Sequence, residues 1–181
     1  GGAATGAAGG SGGAAATGGS GHAGGGPLDC SEVTLPQDCG GSVAYGDSVC
    51  PAQCTSCPTQ SSRCEKVCDG SAPCSGETFV CPENLTCYVQ CLSDDSCQNT
   101  TVVCPPTSAC LIECANPGSC ATLEQQCSAL GPCYLNCSAD SACNGASMQC
   151  GCNTCQATCD PSATAPTVNC GQACQCTPCS T

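Results

Sequence analysis

Twenty-eight of the 181 residues are cysteine, and no other residue type could carry chemistry along so much of the chain. Thiols can pair as disulfides, hold Zn or Cu(I) as thiolates, or attack an electrophile. Attack by a Cys or Ser normally needs a histidine beside it. The only histidine, His22, sits in a Gly/Ala-rich leader, so the cysteine-bearing part offers no nucleophile–His dyad and no imidazole acid–base group. The C-x-x-C-H motif of haem attachment is absent. A carboxylate pair could cleave glycosides without histidine. Asp94 and Asp140 hold equivalent repeat positions two units apart, but no aromatic or basic groove surrounds them in the sequence. The chain reads as non-enzymatic, with no catalytic residue and no cofactor.

Thiolate metal binding is the main rival chemistry. C-x-C occurs at Cys150–Cys152 and Cys174–Cys176, and C-x-x-C at Cys54–Cys57, Cys152–Cys155 and Cys176–Cys179. These spacings suit Zn or Cu(I). Most cysteines use longer spacings, and the chain has a single lysine, whereas metallothionein-type chains are rich in it. Metal binding is kept as a lesser alternative, and no metal site is assigned. For calcium, adjacent Asp94 and Asp95 lack a D-x-D-x-D-G loop and do not recur in neighbouring units, so they read as a solvated turn. Thr86, Thr100, Thr101 and Thr122 form no flat threonine ladder of the kind ice binding needs.

The spacing itself is strict. From Cys64 the pattern C-x3-C-x5-C-x6-C-x5 runs four times. First positions are Cys64, Cys87, Cys110 and Cys133; second positions are Cys68, Cys91, Cys114 and Cys137. Third positions are Cys74, Cys97, Cys120 and Cys143; fourth positions are Cys81, Cys104, Cys127 and Cys150. Every series steps by 23 residues without a slip. Such a period marks a repeat architecture. A looser unit follows, with CQATC (155–159) one residue early, and the tail CGQACQCTPCST (170–181) differs again. Irregular end units are what a repeat array needs as caps.

Composition says what these cysteines do. Leu, Ile, Val and Phe together number only 19, and Trp is absent, so apolar burial alone cannot offset the entropy of ordering the chain. Crosslinks must substitute for it. The even cysteine count permits complete pairing, and the sixteen in-register cysteines are assigned as structural disulfide residues. Spacing leaves their connectivity open, since four cysteines already allow three pairings. Disulfides persist in oxidising compartments, which places the protein extracellularly or at a cell surface. No stretch is long and apolar enough to span a bilayer, and no signal peptide is present; the chain starts at Gly1 and reads as a mature or trimmed form. With net charge −12 and only Arg63 and Lys66 positive, it lacks the cations that nucleic acids and anionic membranes require.

The elements that must position these cysteines are short strands. In an extended chain, residues i, i+2 and i+4 share a face. CYVQC, CLIEC and CYLNC then turn Cys, an apolar residue and Cys inward: Cys87, Val89, Cys91; Cys110, Ile112, Cys114; Cys133, Leu135, Cys137. CEKVC breaks the rule with Lys66 at the middle position. Tyr88 and Tyr134 point outward, two units apart. A second strand leads to each fourth cysteine in GETFVC (76–81), NTTVVC (99–104), ATLEQQC (121–127) and GASMQC (145–150). Turn-rich stretches separate the two. Two short strands per 23 residues predict an all-β, disulfide-rich β-solenoid of about four regular coils plus irregular caps, with coils stacked ~4.8 Å apart. The alternative is a string of small disulfide-knotted modules.

Four segments result: a Gly/Ala-rich linker (1–26), an irregular Cys-rich cap (27–63), the four repeats (64–150) and a C-terminal Cys-rich cap (151–181). The linker composition predicts a flexible stalk reaching about 25–30 Å. Asn84-Leu-Thr, Asn99-Thr-Thr and Asn136-Cys-Ser are N-glycosylation sequons, used only in a eukaryotic source, with Asn136 the least accessible.

CYVQCLSDDSCQNTTVVCP (87–105) and CYLNCSADSACNGASMQC (133–150), together with the leader, resemble Cys-rich tandem repeats in surface lipoproteins of myxobacteria. Similar repeats occur in secreted proteins of unicellular eukaryotes. The resemblance implies a lipid anchor upstream of Gly1 and attachment to the outer membrane if the source is bacterial. It carries no catalytic residues over. The expected function is a structural or adhesive surface head, rigid and disulfide-stapled, with a surface or matrix partner. A glycan- or protein-binding module is the alternative.

Overall fold

The computed structural model describes Cys30, residues 50–58 and residues 62–179. The leader read over 1–26, His22 and most of the cap read over 27–63 lie outside the described residues. Within them the chain forms eleven strands and no helix. The strands are β1 (Arg63–Cys68), β2 (Thr78–Val80), β3 (Thr86–Cys91), β4 (Thr101–Val103), β5 (Cys110–Cys114) and β6 (Glu124–Gln126). They continue with β7 (Cys133–Cys137), β8 (Ser147–Gln149), β9 (Thr154–Cys159), β10 (Thr167–Asn169) and β11 (Gln175–Thr177).

Odd strands stack as one parallel sheet, sheet A, in the order β1-β3-β5-β7-β9-β11; even strands stack as sheet B, β2-β4-β6-β8-β10. Each coil contributes one strand to each sheet, so the molecule is a β-solenoid of about five turns and not a string of separate modules. Register follows the cysteine series: Cys64 pairs with Cys87, Cys87 with Cys110 and Cys110 with Cys133. The looser unit joins in register too, Cys133 opposite Cys155, and Cys176 then pairs with Cys155. The arcs between strands also hydrogen-bond from coil to coil, as in Cys74 N–H to Ser96 O (2.7 Å) and Cys97 N–H to Ser119 O (2.8 Å). Backbone polar groups are thereby satisfied around much of the coil, which a thin core requires.

Alternation decides which side chains enter that core. In sheet A, Val89, Ile112 and Leu135 form the central buried column between two columns of cysteine. Lys66 holds the same register position at the N-terminal end, where its stem is half-buried and its ammonium lies 5.7 Å from the Phe79 ring centroid. The cation thus uses an aromatic face where its neighbours use van der Waals contact. In sheet B the inward column is Phe79, Val102, Gln125, Met148 and Val168.

Gln125 is the exception. It is fully buried, and its amide N–H groups reach only weak or distant acceptors: the sulfurs of Cys104 (3.8 Å) and Cys110 (3.7 Å) and the Tyr134 carbonyl (3.4 Å). Its Oε1 has no donor among the described residues. A buried polar atom left unpaired costs about 1–3 kcal/mol. Gln125→Met matches the length of the side chain and the chemistry of neighbouring Met148. It is expected to raise the unfolding free energy of the oxidised chain by about 1–2 kcal/mol, seen as a higher denaturant midpoint at constant slope.

One arc runs through the left-handed region at the same place in four coils: Gly76 (φ 73°), Asn99 (φ 55°), Thr122 (φ 55°) and Gly145 (φ 71°). Gly and Asn tolerate this conformation; a β-branched residue does not. Thr122 holds it while its hydroxyl donates to Asn99 Oδ1 at 2.7 Å. Thr122→Asn can keep that donor and relieve the backbone, so a gain of about 1 kcal/mol is expected by the same unfolding measurement.

Candidate functional site

The assigned cysteines all lie in disulfides, with one rule repeated. Second and third positions join within a coil: Cys68–Cys74, Cys91–Cys97, Cys114–Cys120 and Cys137–Cys143. Each fourth position joins the first position of the next coil: Cys81–Cys87, Cys104–Cys110, Cys127–Cys133 and Cys150–Cys155. Cys64, with no coil before it, joins Cys54. Most of these loops span six residues, and each bond braces a corner, constraining the unfolded chain by about 2 kcal/mol in the chain-entropy model. The cysteines of the metal-like motifs are spent in the same way: Cys57 on Cys50, Cys152 on Cys30, Cys176 on Cys170, Cys179 on Cys159, and Cys174 is bonded as well. Among the described residues no cysteine is free.

The carboxylates do not converge. Asp94 and Asp140 are exposed on stacked arcs two coils apart. Asp95 adopts φ 55° and accepts a long 3.5 Å contact from Gln98 Nε2, as a turn residue would. Asp69 and Asp160 cap arcs at the two ends of the stack. Each accepts hydrogen bonds from a following serine (Ser71 or Ser162), from both its backbone N–H and its hydroxyl, and these bonds hold both carboxyls below the usual range. Thr100 is buried and donates to Cys74 O at 2.7 Å. On the outer face of sheet B the hydroxyl row Thr78, Thr101, Ser147, Thr167 is interrupted at Glu124.

Of the three sequon residues, Asn84 (φ 63°) and Asn99 are exposed on arcs, while Asn136 is half-buried on the outer face of sheet A. That outer face carries the densest polar chemistry. One outward column reads Glu65, Tyr88, Leu111, Tyr134, Gln156; beside it run Val67, Gln90, Glu113, Asn136, Thr158. Its N-terminal half is a closed network. Ser56 donates to Glu65 at 2.5 Å, Arg63 donates to the same carboxylate, and the Arg63 guanidinium lies 4.8 Å over the Tyr88 ring. The Tyr88 hydroxyl donates to Glu113 and accepts from Gln90 at 3.0 Å. Ser56 is the main cause of a lowered Glu65 pKa; burial, then the Glu113 hydrogen bond, push Tyr88 up to about 12. The network ties the cap residues 55–56 to three successive coils. The spacing pattern gave no sign of it, because it joins a cap serine to three strands through side chains that share only their outward direction.

The C-terminal half of the same face is open. Leu111, Tyr134, Asn136, Gln156 and Thr158 line a shallow hollow of about 380 Å³. Of the two tyrosines expected to point outward, Tyr88 is engaged on its ring and hydroxyl, and Tyr134 borders the hollow.

Fold and crosslinks together define the class: an all-β, disulfide-rich parallel β-solenoid with two corner ladders of disulfides. Comparison with protein-family models, curated proteins and solved structures gives no match.

Proposed function

We propose that the chain is a non-catalytic structural or adhesive surface protein, a rigid disulfide-braced head carried by the Gly/Ala-rich leader. The observation that carries this reading is the unbroken coil-to-coil register with every described cysteine consumed in a disulfide, most of them corner braces. Disulfides require an oxidising compartment. Among the described residues no helix is long and apolar enough to cross a membrane. Attachment through a lipid upstream of Gly1, with a surface or matrix partner, belongs to the same proposal.

The hollow beside Tyr134 supports a second reading, a module that binds an extended glycan. An aromatic face flanked by amide and hydroxyl side chains is the chemistry a sugar ring meets in a protein. The two separate cleanly. Under the structural reading the oxidised chain resists a broad-specificity protease and gives no consistent hits on a glycan array. A glycan class bound by the wild type and lost in Tyr134→Ala would replace it with the second. Hydrolysis of glycoside substrates abolished by Asp140→Asn would overturn both.

A further inference from the structure

The disulfides differ sharply in access. Most corner braces are buried, several at 0% exposure, whereas Cys50 and Cys174 are the exposed cysteines among the described residues. Cys50 has a second distinction. Its sulfur, that of its partner Cys57 and that of Cys54 all lie within 4.8 Å of one another, although Cys54 belongs to the next disulfide, Cys54–Cys64. An exposed disulfide therefore sits against the latch that holds the first strand.

We propose that this cap cluster is a covalent capture site for an external thiol, such as a cysteine of a surface or matrix partner. The external thiolate attacks the sulfur of Cys50, the accessible end of the bond. The Cys50–Cys57 bond breaks, a mixed disulfide forms at Cys50, and Cys57 leaves as a thiolate. Cys57 then attacks the neighbouring Cys54 sulfur. A Cys54–Cys57 bond forms, the Cys54–Cys64 bond breaks, and Cys64 leaves. Cys64, which is 0% exposed, takes up the proton released by the incoming thiol and remains as the one free thiol. One thiol and two disulfides enter; one thiol and two disulfides leave, with no net oxidation or reduction.

The rearrangement makes capture persistent. With Cys57 locked to Cys54, it no longer faces the mixed disulfide and cannot expel the partner. The cap stays seated without its latch, because Thr55 N–H and Ser56 N–H both reach Glu65 O, and Glu65 N–H reaches Ser56 O at 2.9 Å.

The test uses the full oxidised chain with glutathione as the probe, without denaturant, quenched in acid and mapped as peptides under non-reducing conditions. Glutathione is expected on Cys50, about tenfold or more ahead of any corner-ladder cysteine. A Cys54–Cys57 crosslink and one alkylatable thiol at Cys64 are expected with it. Adducts spread over the ladder, or centred on Cys174, overturn the proposal, as does an adduct at Cys50 whose free thiol stays at Cys57. A Cys50→Ser/Cys57→Ser double variant keeps every corner brace from Cys68 onward. It is expected to lose the fast incorporation; retention of that phase sinks the assignment.

Discussion

Full reduction of the chain with excess dithiol, with no alkylating agent to add bulk, is expected to abolish the parallel β-structure at neutral pH and without denaturant. The reason lies in what each coil buries. The large apolar side chains at the centre of the third coil are Ile112 and Leu123, and its inward sheet B position, between Val102 and Met148, is taken by Gln125. Cysteine sulfur fills most of the remaining interior. Ordering a residue costs roughly 1–2 kcal/mol of backbone entropy, far more per coil than two or three aliphatic side chains return at about 1.5–3 kcal/mol each. The braces act on the other side of the equilibrium by restricting the unfolded chain. Their loops are local, so reduction releases both corners of every coil. The expected result is loss of the far-UV β signal and of slow amide exchange throughout residues 64–170. Slow exchange surviving in a chain titrated to 28 free thiols would show that packing and hydrogen bonds suffice.

The fold was open to reading because its two strongest signals are periodic. A 23-residue step fixes which cysteines face one another across coils, and Cys-x-Val-x-Cys or Cys-x-Ile-x-Cys fixes which face of the strand is inside. Even the early CQATC unit enters in register, because a strand pairs by its own alternation and the arc before it absorbs the missing residue. Connectivity was not legible: both observed pairings close loops of about the same length, and only the corner geometry shows that second meets third and fourth meets first. Gln125 was also hidden, since its inward position follows from strand phase while its polarity argues the opposite. The closed half of the sheet A face depends on Ser56, outside the repeat, and periodicity carries no information about a residue that occurs once.

Two glycines show the same limit. Gly131→Ala and Gly151→Ala are each expected to destabilise the oxidised chain by about 3 kcal/mol or more. Neither glycine is needed for a left-handed backbone. The constraint is the coil beneath. A Cβ at Gly131 would lie 2.1 Å from Ser108 O, and one at Gly151 only 1.7 Å from Ser128 O, both backbone atoms of the preceding turn. No rotamer change removes a clash with a carbonyl. The two turns must separate, and at Gly151 this strains the adjacent Cys152 N–H to Ala129 O bond (3.1 Å) and the corner held by Cys150–Cys155. Gly171→Ala is the control, because Gly171 has φ 51° with nothing within 4 Å of a Cβ, so it should cost only about 1 kcal/mol of backbone strain. Denaturant midpoints rank the three, and amide exchange locates the damage. If Gly151→Ala costs no more than Gly171→Ala, the coils are not held at contact distance by their hydrogen bonds and corner disulfides.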